Sequence, residues 1–456
     1  MKPKDIEQLR NWAIDYVWTP RRSWDVLTGP EGFRTFTEGK GCRIKDIDGK
    51  EYIDYWSSVM FSNTGYGSEE ISEAAYKQML TLHGVPTHDL SIPKIELAKK
   101  LAEITPGALT RTFFTNSGTE AIETAMKMAR QYQRLSGYPN RYKAIVPGYR
   151  YHGSTYGAMS LGGRAPIFSW DEFVPLLPGV IHIPSPYCFR CDLGLNYPDC
   201  DIRCARQMEW VIEMEGADTI AYFLDVTIAT EYCTTPPPEY WPMIRSICDK
   251  HGILLILDEV VNGFGRNGKM FACNHWDITP DILVVAKGLG SGYVPLGATI
   301  ATKNVAKKFE GGPKETFKHG VTFEGSPAAC AASLANLHII ERDKLVENSL
   351  NMGNYLFDSL QSLQKHRIIG EIRGQNIGLM CDVGLVKDHG TNRKFSTDEN
   401  KKLLGILKKE LKKAGLWGMV DNPLPLFPPL NIDKGEIDEL VSRLDKAISA
   451  VEKTLS

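Results

Sequence analysis

No apolar run in this chain approaches the roughly 20 residues that a membrane-spanning helix needs. The first residues, MKPKDIEQLRNWAIDYVW, thread charge through every apolar stretch, so they hold no signal-peptide core. The expectation is a cytoplasmic protein. Surplus charge is also lacking: 53 Lys and Arg stand against 55 Asp and Glu, a net charge of −2. A nucleic-acid footprint needs a basic face, so that class of partner is not expected. There is no internal repeat and no low-complexity tract. Ten cysteines without an export signal are expected to be mostly reduced. Six of them are scattered (Cys42, Cys233, Cys248, Cys273, Cys330 and Cys381), and four cluster between residues 188 and 204.

What is present is an ordinary globular composition on a chain of 456 residues, long enough for two packed parts. The most informative stretch runs from Ile253 to Tyr293. Ile253–Leu257 leads to Asp258, and Ile282–Ala286 leads to Lys287. Continuous apolar runs closed by breakers read as buried strands of a parallel sheet. Ligands of open α/β sheets collect beyond the carboxyl ends of the strands, so one carboxylate and one amine are aimed at a common crevice. A lysine in a partly apolar site can form a Schiff base, and pyridoxal phosphate needs such a lysine plus an acid for its ring nitrogen. Both charges could equally be solvated strand ends, so the other segments have to decide.

Residues 1–35 carry aromatics without clear period, which predicts an ordered arm lying over other surface. GCRIKDIDGKEYIDYWSS alternates around Asp48-Gly49 and predicts a hairpin. Helical patterning between Ile71 and Ile104 is expected to break near Pro86 and Pro93. Thr110–Phe114 reads as a strand that ends at a helix opening on Ser117-Gly118-Thr119-Glu120, with Ser117 and Glu120 at capping-box spacing. A helix N-terminus flanked by hydroxyls is a ready anion site, and also simply a cap. Tyr151 and His152, in a loop rich in Gly and Ser, could stack on or orient a planar ring, or merely pack. Strands alternate with helices from about 110 to 300, which predicts a doubly wound, largely parallel sheet. A helix opening at Ser396 and Glu399, the break at Pro428-Pro429 and a final amphipathic helix predict a smaller C-terminal α+β part. The division expected is an N-terminal segment 1–70 packing with that part, a large domain 71–330 and a small domain 331–456.

Taken together, Asn116-Ser117-Gly118-Thr119-Glu120-Ala121, Tyr151-His152-Gly153, LDEVVNGFGRNGKMF, AKGLGSGYVPLGA and HGVTFEGSPAACAA fall in the order found in class III aminotransferases. The sequence resembles that family, pyridoxal-phosphate enzymes of fold type I, from about Gly41 to its end, and most closely the branch that acts on ω-amino acids or amines with pyruvate. The resemblance implies that Lys287 is the Schiff-base lysine and the proton shuttle, and that Asp258 pairs with the pyridine nitrogen. It implies that Val260 and Tyr151, beside His152, pack on the ring, and that Ser117, Gly118 and Thr119 hold the phosphate. Thr322 matches a threonine that reaches the phosphate of a neighbouring subunit, implying a homodimer with shared active sites. Met60 and Phe61 sit where relatives line the substrate channel.

The chain also departs from the family pattern. Ser154 stands where one branch carries an arginine, and Gly418, beside Trp417, where another carries a mobile one. An arginine fork is the natural clamp for a carboxylate, so a replacement is expected elsewhere; Arg150, Arg164 and Arg266 are unassigned. Asp225-Val226 replaces a usual Glu-Pro pair. Cys188, Cys191, Cys200 and Cys204, spaced C-x2-C and C-x3-C, suit either a tetrathiolate metal site or reduced, redox-active thiols. The expected function is transfer of an amino group from an amine or ω-amino compound to a 2-oxo acid, pyruvate above all. A decarboxylase, epimerase or aminomutase on the same lysine is the alternative. A non-enzymatic role for the cysteine cluster is a third possibility of a different class.

Overall fold

A computed structural model describes residues 3–29, 32, 34–163, 170–230, 233–388 and 393–455. At its centre is a seven-stranded sheet of β4 (Leu109–Thr115), β5 (Lys143–Pro147), β6 (Val180–Ile183), β7 (Ile220–Val226), β8 (Leu254–Asp258), β9 (Ile282–Val285) and β10 (Gly297–Thr302). The spatial order is β4-β10-β9-β8-β7-β5-β6, and only β10 runs against the rest. This is the mixed α/β, mostly parallel sheet that the alternation of elements predicts. β8 and β9 are buried along their whole length. That is why their sequences show no polar alternation: helices cover both faces, and each Leu, Ile or Val there contributes about 1.5–3 kcal/mol by leaving water.

The helix Gly118–Leu135 follows β4 directly. Its buried face is Ala121, Ile122, Ala125, Met126 and Ala129, the stripe expected from their spacing, and it packs over β9 and β10. The Ser117 hydroxyl accepts from Glu120 N at 3.3 Å, but the returning carboxylate of Glu120 accepts from Asn116 N at 2.7 Å, one residue earlier than in a regular capping box. Pro93 does not break a helix. It lies in the first turn of Ile92–Ile104, where the missing N–H would have had no intrahelical partner.

Two smaller sheets complete the molecule. The hairpin at Asp48-Gly49 joins β2 (Arg43–Asp46) to β3 (Glu51–Asp54), and β1 (Phe36–Lys40) flanks β2. β3 also pairs in parallel with β13 (Leu416–Trp417), so the two ends of the chain share one sheet. A second sheet is built of β11 (Ile369–Arg373), β12 (Cys381–Leu385) and β14 (Leu424–Leu426). The helix Thr397–Lys413 opens with the capping box expected at Ser396 and Glu399, and it packs on Lys434–Leu455. The helix Pro327–Arg342 crosses residue 330 and packs on Glu69–Thr81 and Ile92–Ile104. The N-terminal arm forms a helix, Pro3–Tyr16, but within one chain its aromatics stay largely uncovered, Trp18 at 94% exposure. Among the described residues no helix is long and apolar enough to cross a membrane.

Candidate active site

Because six of the seven strands run one way, their carboxyl ends share one edge of the sheet, and antiparallel β10 begins at that same edge. Asn116, Val226, Asp258 and Ala286 follow or close four of those strands, and Pro295 and Leu296 lead into β10. All six line one cleft of about 560 Å³. Met60, Ser117, Gly118, Thr119, Tyr151, His152, Val260 and Lys287 line it too. The structure thus brings nearly all the residues singled out in the sequence into one place. Thr322 lies outside, exposed on the chain's surface, and Trp417 packs edge-on against Phe36 with ring centroids 5.3 Å apart.

Asp258 closes β8, its carboxylate buried and held from two sides. His152 Nδ1 lies 2.8 Å from Oδ2, and Val260 N donates to Oδ1 at 3.0 Å. Each oxygen therefore has one fixed partner, which sets the plane of the carboxylate. Lys287 follows β9 in a left-handed conformation (φ 40) and begins a 3-10 turn whose next residues bond back to it: Gly290 N and Ser291 N donate to its carbonyl. A side chain held at a positive φ next to a cleft is strain that the surrounding fold has to support.

The helix N-terminus forms another wall. Its first turn leaves backbone N–H groups directed out of the helix, at the positive end of an 18-residue dipole. Gly118 approaches the strand ends so closely that an added Cβ would stand 3.0 Å from Val260. Thr119 Oγ1 accepts from Ser154 N at 3.1 Å and Thr155 N at 3.3 Å, tying the Tyr151–Gly153 loop to the helix. Gly153 permits this contact: at φ 147, a Cβ there would lie 2.2 Å from Thr119 Oγ1.

Neither described arginine from the sequence reading lines the cleft. Arg150 is buried, with Nε donating to Asp225 Oδ1 at 2.9 Å and Nη2 to Ser185 Oγ at 2.8 Å. Asp225, in place of the usual Glu-Pro pair, is thus the partner of Arg150. Arg266 is wholly buried and donates to the carbonyls of Leu379 and Pro428, to Ser57 Oγ and to Asn63 Oδ1. Burial pulls it down to about 9, against the opposing pull of Asp54. Arg164 lies outside the described residues. Gly418 has no room for a side chain, since a Cβ would stand 2.3 Å from the Tyr55 ring.

The cleft also contains residues that the sequence reading passed over. Ile228, Thr230 and Asn262 line it from the segments after β7 and β8. Behind them Glu259 is buried, accepting from Thr227 Oγ1 at 2.6 Å and from Ala272 N and Cys273 N at 2.9 Å. Burial raises its carboxyl to about 7. Its place beside Asp258 in LDEVV was the available signal. Outside the lining, Arg21 Nη2 donates to Tyr151 Oη at 3.4 Å, and its guanidinium carbon lies 5.4 Å from the Tyr151 ring centre.

The four clustered cysteines line one small cavity with Tyr187, Tyr197 and Ile202. Burial raises the thiols of Cys188 and Cys204, the latter to about 12, and the neighbouring thiols push the same way. Among the described residues no group of three or more His, Cys, Asp or Glu is arranged to hold a metal ion.

The cleft fits pyridoxal phosphate in its donor set. Helix amides and hydroxyls suit a phosphate, a pinned carboxylate suits a protonated pyridine nitrogen, and a strand-end lysine suits an aldehyde. The comparisons agree. The class III aminotransferase family model matches residues 29–448. The taurine–pyruvate aminotransferase of Bilophila wadsworthia is 36% identical over 442 residues, 94% of this chain and 96% of that enzyme. The putrescine–pyruvate aminotransferase of Pseudomonas aeruginosa is 34% identical over 92% of this chain and 91% of its own. The crystal structure of an (S)-enantioselective omega-transaminase from Thermomicrobium roseum superposes with a TM-score of 0.92 at 37% identity, covering 98% of both chains. With its family matched along most of its length and the site residues gathered at the sheet edge, the chain belongs to the class III aminotransferases, enzymes that depend on pyridoxal phosphate.

Proposed function

We propose that this enzyme moves an amino group from a primary amine or ω-amino compound to a 2-oxo acid, with pyruvate as acceptor, in two half-reactions at Lys287. The observation that carries this reading is the meeting of Lys287, the pinned Asp258 and the Gly118 helix terminus in one cleft. The activities of the taurine–pyruvate and putrescine–pyruvate relatives support the choice of acceptor.

When bound, pyridoxal phosphate supplies the aldehyde and the electron-accepting ring. Ser117, Gly118 and Thr119 hold the phosphate through first-turn N–H groups and hydroxyls. Asp258 holds negative charge at the pyridine nitrogen, kept in plane by His152. Val260 and Tyr151, which both line the cleft, would pack against the cofactor's ring. Lys287 Nζ would anchor the cofactor's aldehyde and, once freed by the donor amine, would carry the proton between the donor's amine-bearing carbon and C4′. In the second half-reaction it moves the proton in the opposite sense. Met60 and Phe61 exclude water from the donor side of the cleft. The same reading places Thr322 at the phosphate of a second copy of the chain. The exposure of Thr322, Phe323 and the N-terminal aromatics supports such an interface. It also groups residues 1–70 with 331–456 as a small domain, supported by the pairing of β3 with β13.

The test is the visible spectrum of the purified holoenzyme as single amines are added: β-alanine, taurine, γ-aminobutyrate, a diamine and an arylamine. One donor should bleach the cofactor band and pyruvate should restore it. A band that no donor bleaches would turn attention to decarboxylation, epimerisation or amine migration.

A further inference from the structure

The acceptor's carboxylate needs a cation, and the cleft has few to offer. Among the described residues lining it, Lys287 is the only ammonium and there is no arginine. Lys287 is committed to the cofactor on the reading above. Arg150 is committed to Asp225 and Ser185, and Arg266 to carbonyl and amide oxygens in the core. Ser154 carries no charge, and the close approach of Tyr55 keeps Gly418 free of a side chain.

One described guanidinium in contact with a residue of the cleft wall comes from the N-terminal arm. Arg21 is exposed. Its Nη2 donates to Tyr151 Oη at 3.4 Å, and its guanidinium carbon lies 5.4 Å from the Tyr151 ring centre, within cation–π range. Tyr151 itself lines the cleft. Arg21 also adopts a left-handed backbone (φ 58) between the helices Pro3–Tyr16 and Trp24–Thr28. A non-glycine residue held there costs backbone energy, and the bend turns the arm so that its side chain meets Tyr151. A guanidinium has five N–H donors in a planar fork, so a hydroxyl and a carboxylate can share it.

We propose that Arg21, resting on the Tyr151 ring, recognises the carboxylate of the 2-oxo acid acceptor. It thereby takes the role left open by Ser154 and Gly418. The inference rests on the transaminase reading of the cleft, and it makes the N-terminal arm part of the substrate site. Arg21 is a specificity residue here; it takes no proton and forms no bond in the reaction. An amine donor without an acid group would not use it, whereas pyruvate would.

The test compares the holoenzyme with Arg21→Gln, Arg21→Lys and Arg22→Gln. Arg21→Gln should raise the KM for pyruvate about tenfold or more, the scale of a lost charge-assisted contact, while cofactor bleaching by α-methylbenzylamine changes by no more than about twofold. Arg21→Lys should recover part of the loss, and Arg22→Gln should behave as the unchanged enzyme. Calorimetric titration with propanoate, an unreactive acid, should show the same weakening for Arg21→Gln. Equal affinity of Arg21→Gln and the unchanged enzyme for pyruvate and propanoate would overturn the proposal. So would an equal slowing of the arylamine reaction, which would mean that the arm only shapes the cleft. If α-methylbenzylamine and the other donors fail to bleach even the unchanged enzyme, the transaminase reading falls, and the propanoate titration still decides for or against Arg21.

Discussion

His152 Nδ1 lies 2.8 Å from Asp258 Oδ2, with both side chains buried at the carboxyl end of the central strand β8. The imidazole links two loops: it comes from the segment after β5 and orients the acid that closes β8. With Val260 N on the other oxygen, the carboxylate has little rotational freedom. His152→Phe keeps a ring in place but removes the donor and leaves Oδ2 buried without it. That loss should cost about 1–3 kcal/mol, which raises the dissociation constant for pyridoxal phosphate roughly tenfold to a hundredfold. Fluorescence titration of the apoenzyme measures it, and an unchanged constant would remove His152 from cofactor binding.

Among the described residues lining the cleft, Lys287 is the only ammonium. Lys287→Ala should lower turnover by at least about 10⁴-fold, because it removes the covalent anchor and the proton carrier together. On the proposed reading Ser117–Thr119 still hold the phosphate, so the variant should retain cofactor through gel filtration. Turnover near the unchanged rate would rule out any mechanism through this residue.

Arg150 and Asp225 form a pair sealed from solvent, with Asp225 Oδ2 unsatisfied. Burial raises the Asp225 carboxyl while the Arg150 guanidinium opposes that rise. Removing one partner leaves an uncompensated charge, so Arg150→Met should destabilise the protein by about 3–5 kcal/mol. The double variant Arg150→Met/Asp225→Leu should recover most of the loss, since a packed apolar pair can replace a buried ion pair. Chemical denaturation of the three proteins checks both statements; a double variant as weak as the single one would show that the pair does more than balance its own charges.

The parallel core of the sheet was legible because β8 and β9 are buried along their whole length and their sequences show it. So was the helix start at Ser117, because Ser117 and Glu120 stand at capping-box spacing. Less legible was anything set by the path of a loop. Arg150 sits one residue from Tyr151 in sequence, yet its side chain turns inward to Asp225. Arg266 follows the LDEVV segment but crosses to the carbonyls of Leu379 and Pro428, more than a hundred residues away. Arg21 shows the converse: neither spacing nor period marks it, and only the folded arm brings it to Tyr151. Trp417 was placed by counting along the chain, and its ring finds Phe36, a neighbour that sheet pairing at the other terminus creates.

Glu259, buried and accepting from Thr227 Oγ1 at 2.6 Å, gives the core a pH dependence. Burial raises Glu259 from its ordinary 4.5 to about 7, while Thr227 and two backbone N–H groups favour the charged form. Between those values the folded chain holds a proton that the unfolded chain has lost. Stability from Glu259 is therefore full below about pH 4.5 and declines as the pH rises through about 7. Thr227→Val removes a donor to the charged form, so its penalty should grow across the same window, from about 1 kcal/mol at pH 5 to about 1.5–3 kcal/mol at pH 8. Denaturant midpoints at the two pH values measure this. A penalty that shrinks with pH would reverse the assignment.

Thr322 is exposed on its own chain, while Lys287 lines the cleft. If Thr322 serves the phosphate of a second copy, the two residues of one site come from different chains. Lys287→Ala is then inactive in its own cleft but carries an intact Thr322. Thr322→Asp carries an intact Lys287 but repels the partner's phosphate. Co-expressed with separate affinity tags, the mixed dimer should contain one wholly intact site, in the cleft of the Thr322→Asp chain. Its activity should reach about half that of the unchanged dimer, since independent sites contribute additively. If instead each chain used its own Thr322, both sites of the mixed dimer would be damaged and no activity would return. Sedimentation of the unchanged protein as a monomer would exclude the shared site outright.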